Sequence, residues 1–174
     1  MSKTCLNKLD GNILVDCTVP AVGVSEIYLM HVEDVSFTYN AASTTIDAVT
    51  FAKGAKSYKV EGYKQNLQVT SSLRSTDVSG KFDVSVMFKS RLLGTIGRPV
   101  MAGKFYVMVV DPMSGGINSV WGCNAPMECS NIEYDSNANG KLVTYTLSAP
   151  EGSAGNNRIV TSPAAATSII AKSV

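Results

Sequence analysis

Charge is scarce in this chain. Lys, Arg, Asp and Glu together make up 17% of its 174 residues, against about a quarter in an average soluble domain. The charges also cancel, 15 basic against 14 acidic for a net +1, which excludes an extended basic footprint for nucleic acid. Only Lys89, Arg91 and Arg98 could form a local basic patch, and such a run is more often a solvated rim or an ion-paired interface. Histidine and tryptophan each appear once, as His31 and Trp121. One imidazole cannot build a His-rich metal centre and leaves a single candidate general base. No apolar run approaches the length of a bilayer span, so no membrane span is expected. The opening "MSKTCLNKLDGNILVDC" lacks a signal-peptide core, so synthesis in a cytosol is the expectation.

Hydrophobic residues are plentiful, at 45%, enough for one domain with a sizeable core. Thr, Ser, Asn and Gly fill the polar positions that charges leave open. Few charges suit a protein whose surface is largely covered by copies of itself, although a neutral secreted β-domain would look similar.

The stretch "DPMSGGINSVWGCNAPMECSN", Asp111 to Asn131, concentrates the unusual residues. Cys123 and Cys129, with five residues between them, are too far apart for the usual zinc spacing and lack the Cys-x-x-Cys of a redox pair. With Cys5 and Cys17 they make four cysteines and three pairings. Free buried thiols packing near Trp121 are the expectation, a Cys123–Cys129 disulfide the alternative. Gly115 and Gly116 read as turn glycines after Pro112, with no lysine and Ser/Thr at phosphate-loop spacing. Trp121 and Met127 fit a core better than a ligand pocket. His31 and Glu33 would share a strand face, but no nucleophile, Ser25 or Ser36 included, can be placed beside them. Glu26, Asp47, Asp77 and Asp83 show no spacing that singles out two paired acids. No catalytic, cofactor-binding or metal site is therefore assigned, and a non-enzymatic protein is expected.

A period of two dominates the pattern. In "GKFDVSVMFKSR", Phe82, Val84, Val86 and Phe88 alternate with Asp83, Ser85 and Met87, the signature of a half-buried strand. "SYKVEGYKQNLQVTSSLRS" alternates before it, and "STDVSG" supplies turn residues. Tyr58 to Met87 thus reads as one long hairpin. Val35, Phe37 and Tyr39 mark an earlier strand. "GKFYVMVVD" is apolar on both faces and reads as a central strand. "INSVWG", "MECSNIEYD" and "KLVTYTLSA" follow as strands, with Val143, Tyr145 and Leu147 on one face. Only Lys89 to Pro99 offers a helical turn, kept short by Gly94, Gly97 and Pro99. The expectation is one all-β domain over residues 1–150, an antiparallel sandwich or half-barrel with at least six strands and no helix longer than about three turns. Residues 151–174 would be a C-terminal arm or flexible tail, with "SIIAKSV" apolar enough to dock on a neighbouring copy.

This order of elements, from Gly54 to Pro150, resembles phage tail-tube and related ring-forming virion proteins. The resemblance rests on the long hairpin, "SRLLGTIGRPVMAGK", "FYVMVVDPMSGG", "INSVWGCNAPM" and the Thr-rich strand after the "NG" turn. It implies a small β-sandwich or half-barrel whose hairpins join across subunits into a closed ring of the tail or neck, with a larger flanking helix. Synthesised in a host cytoplasm, the chain would reside in the virion, with copies of itself and other virion proteins as partners. DNA could pass through the central channel without sequence-specific binding. Lys59, Lys64, Gln68 and Arg74 would then be candidates for facing that channel or a neighbour. The alternative is a carbohydrate- or protein-binding β-sandwich module of a phage fibre or secreted protein, with Trp121, Tyr106 and Tyr145 as its platform.

Overall fold

The computed structural model describes residues 26–61, 67–74, 81–90, 93–110, 118–134, 142–150 and 158–174. Among them are eleven strands and two α-helices. The strands are β1 (Glu26–His31), β2 (Val35–Tyr39), β3 (Thr45–Phe51), β4 (Tyr58–Glu61), β5 (Leu67–Arg74), β6 (Lys81–Ser90), β7 (Lys104–Val110), β8 (Asn118–Trp121), β9 (Met127–Tyr134), β10 (Val143–Ser148) and β11 (Arg158–Thr161). Helix α1 (Leu93–Ala102) precedes β7, and α2 (Pro163–Ala171) follows β11. The all-β architecture expected from the two-residue period is present.

The central strand is β7, as its apolar run predicts. One of its edges pairs with β1 along Glu26↔Val110 to His31↔Phe105. The other edge is shared. Strand β8 takes Val107 to Val110, and β9 takes Lys104 and Phe105. From this fork one layer runs β4-β1-β7-β8-β11-β3-β2 and the other β9-β10-β6-β5. The fork sits at Gly122, whose φ of 97° is open to glycine and strained for other residues. There the chain leaves β8 and re-enters the ladder as β9.

Two clusters form the interior. In the first, Ile27, Leu29, Val60, Val107, Val109 and Trp121 of one layer meet Leu67, Phe88, Val143, Tyr145 and Leu147 of the other. Phe88 and Tyr145 stack with centroids 5.1 Å apart. The second cluster lies on the opposite face of the first layer, where Tyr28, Met30, Ile46, Met108 and Val120 are covered by Ala165, Ala166 and Ile169 of α2. Successive side chains of β1 and β7 therefore serve both cores in turn, which is why these strands have no polar face.

Three expectations are corrected. The segment beginning at Tyr58 is not one strand. Its first part, β4, pairs with β1, and only Leu67 to Arg74 pairs with β6, so the hairpin is β5–β6. The C-terminal segment is not a free arm. Strand β11 inserts between β8 and β3, antiparallel to the first and parallel to the second, so the sheet is not wholly antiparallel. Helix α2 then packs Ile169 fully out of solvent. It starts at Ser162, whose side chain accepts from Ala165 N at 3.2 Å, with Pro163 opening the first turn, a favoured N-terminal pair. Finally, the glycine-rich segment forms more than a single turn. Helix α1 runs through Pro99 to Ala102 and buries Val100 in the first core.

Candidate functional site

The Asp111–Asn131 stretch divides between the two cores. Residues 111–117, with Gly115 and Gly116, lie outside the described residues. Trp121 is buried in the first core, its indole N–H donating to Ser119 Oγ at 3.1 Å. Met127 is fully buried beside it. Cys123 instead packs against the second core. In a continuous strand residues 121 and 123 would share a face, but the positive φ of Gly122 breaks the alternation. The expected packing of both thiols near Trp121 is thus corrected for Cys123. Both described thiols are free. Burial pushes Cys123 up to about 12, against an opposing hydrogen bond from Tyr39. Burial also raises Cys129. Neither environment favours the thiolate that nucleophilic or metal chemistry needs. Among the described residues no three His, Cys, Asp or Glu side chains are grouped to hold a metal ion.

His31 ends β1, buried between the rings of Phe105, 4.7 Å away, and Tyr58, 5.9 Å away. Glu33 and Asp34 belong to the 3-10 turn that follows, not to the strand, so His31 and Glu33 do not share a strand face. Ser36 is exposed on β2, and Ser25 lies outside the described residues.

The acids that the structure does bring together are Glu26 and Glu61, register partners across β1 and β4. Lys59 lies between them, 2.8 Å from Glu26 and 3.2 Å from Glu61, and Tyr28 Oη donates to Glu26 at 2.9 Å. Hydrogen bonding to Glu26, against an opposing burial effect, holds Lys59 more firmly protonated than usual. Burial first, then the Glu26 bond, raises Tyr28 to about 12. Lysine and tyrosine here keep their protons at neutral pH, so the cluster fixes charge at a sheet edge. Sequence spacing could not reveal it, because the two glutamates meet only once β4 pairs with β1. Asp47 is exposed on β3, Asp83 sits opposite Ser72 in the hairpin, and Asp77 lies outside the described residues.

The proposed aromatic platform is not assembled. Trp121 and Tyr145 are buried in the first core, whereas Tyr106 packs on the second, 4.8 Å from Phe37. Of the channel candidates, Lys59 is ion-paired, Gln68 is exposed on β5, Arg74 ends β5, and Lys64 lies outside the described residues. Of the basic patch, Lys89 is half-buried, Arg98 is exposed on α1, and Arg91 lies outside them.

The β5–β6 hairpin extends past its neighbouring strand. Strands β5 and β6 pair from Leu67↔Phe88 to Arg74↔Lys81. Strand β10 flanks β6 only from Ser85 to Ser90. The outer half, Ser71 to Arg74 against Lys81 to Val84, therefore has no third strand among the described residues. A two-stranded ribbon is marginal in water without further packing.

The sheet edges differ in the same sense. Beside β4, Ser57 N donates to Lys172 O at 3.1 Å and Val174 N to Ser57 O at 3.4 Å, and Lys59 and Glu61 place charge on the strand itself. Strand β5 is neutral from Leu67 to Leu73, and β2 ("VSFTY") carries neither charge nor proline. Both terminate the strand path. Among the described residues neither has a further strand beside it, the kind of edge that can pair with another strand.

No family model, curated protein or solved structure matches the chain. No helix among the described residues is long and apolar enough to cross a membrane.

Proposed function

We propose that this chain is a non-enzymatic phage virion structural protein whose copies assemble into a ring or tube in the tail or neck. The observation that carries the reading is the outer half of the β5–β6 hairpin, which extends past β10 with no third strand among the described residues. A neighbouring copy would supply the missing contacts, and closing a ring would pair the edges of β2 and β5, which have no further strand among the described residues. The low charge content agrees, since interface cores are depleted of charge. Other virion proteins and passing DNA are the further partners of this reading, the DNA through shape and weak charge alone.

Negative-stain imaging of the purified full chain tests it. Rings or short tubes of one fixed diameter are the expected result. A protein that stays monomeric at high concentration and occurs in no multi-copy particle contradicts the assignment.

A further inference from the structure

We infer that the C-terminal segment, residues 158–174, is a releasable strap, and that β11, α2 and the β2–β3 hairpin open from the rest of the fold as one unit. This holds whether or not copies of the chain form a ring.

The last strand of the chain sits inside the sheet rather than at its edge. Among the described residues β3 has two ladder partners, β2 and β11, so β11 carries the one ladder that joins the hairpin to β8. Helix α2 is fastened at both ends. At its start, Ser162 N donates to Ile46 O at 2.8 Å and Ser162 Oγ to Asp47 O at 2.9 Å, both on β3. At its end, the fully buried Ser57 donates through Oγ to Ile169 O at 2.7 Å and through N to Lys172 O at 3.1 Å.

The two cores divide along the same line. Ala165, Ala166 and Ile169 of α2 share the second core with Val35 and Ile46 of the hairpin. Among the described residues the first core contains no side chain of β2, β3, β11 or α2. Lifting the strap would leave β2–β3 as a two-stranded ribbon, which is marginal in water, touching the body through Phe37 on Tyr106. By contrast β1, β4, β7 and β8 would keep their mutual pairing and the first core beneath them. A cooperative unit so attached opens at lower free energy than the whole domain. Opening would bare the facing edges of β8 and β3, a slot of the kind that accepts a strand.

Native-state hydrogen exchange of the full chain, resolved by peptide in low denaturant, tests this. Amides of β2, β3, β11 and α2 should share one level of protection, about tenfold or more below that of β7 and β10. Ser57→Ala removes a buried tie and should speed exchange in all four elements about fivefold, leaving β7 and β10 unchanged. Ser162→Ala loosens the other end and should give the same pattern. An acceleration that reaches β10 equally, or one confined to α2 while β2 and β3 keep their protection, overturns the strap. Should either variant fail to fold, the original protein decides alone: β2, β3, β11 and α2 exchanging only together with β10, in one global step, overturns it.

Discussion

The inner and outer halves of the β5–β6 hairpin have similar sequences and opposite circumstances. Val84, Val86 and Phe88 continue one alternation that begins at Phe82. Yet Phe88 is fully buried and stacked on Tyr145, and β6 is flanked by β10 only from Ser85 onward. Beyond that point the ribbon keeps its β-forming pattern without a third strand among the described residues. The inner half packs into the first core through Leu67, Val69 and Phe88; the outer half is the part that the proposed ring would use between copies.

Substitutions in the covered core and a pH series sharpen that contrast before the hairpin itself is cut. Phe88→Ala removes a fully buried ring from the covered half and should cost about 3–5 kcal/mol in urea unfolding; a loss under ~1 kcal/mol would contradict its place in the core. Gly103→Ala should cost about 1–3 kcal/mol. A Cβ there would meet the Phe105 ring at 2.5 Å and the Pro99 carbonyl at 2.6 Å, and the backbone of α1 cannot easily give way.

Alkali should act more gently and through the α2-covered core. Tyr28 rises from an ordinary 10.0 to about 12 and Cys123 from 9.0 to about 12, both chiefly by burial. A folded-state pKa above the unfolded one means that the neutral form is favoured by folding. The associated stability is complete below pH about 9 and is lost as pH rises toward about 12. Thermal unfolding followed from pH 8 to 12 should show that fall. Tyr28→Phe should reduce the part of it that begins near pH 10.

The strands were legible where a single face was buried. Phe88, Val143, Tyr145 and Leu147 could be read as one side of a pleat, and the double-sided run of β7 announced a covered central strand. What escaped was set by pairing at long range. Nothing local says that β4 turns to β1 while β5 turns to β6, and the Glu26–Lys59–Glu61 cluster exists only because of that choice. Strand β3 was overlooked because its exposed Asp47, Ala48 and Thr50 dilute the pattern. Helix α2 carried a readable signal, Ser162 before Pro163, hidden by the small residues that follow. The helical extent of α1 lay beyond propensity, since Gly94, Gly97 and Pro99 all oppose it and burial of Val100 in the first core favours it. As for the site, its hairpin could be seen from sequence, but its boundaries, and the edges of β2 and β5 that have no further strand among the described residues, required the topology.

Shortening the hairpin tests the division of labour most directly. Joining Ser72 to Asp83 through Asn-Gly removes the outer rungs while the retained register still pairs Ser72 with Asp83. The quantity to measure is the mass of the shortened protein by sedimentation velocity, beside the original at the same concentration. A folded monomer that unfolds within a few degrees of the unassembled original, where the original forms closed higher oligomers, is the expected result. A shortened protein that assembles to the same mass as the original would contradict the claim that the outer hairpin is the contact between copies.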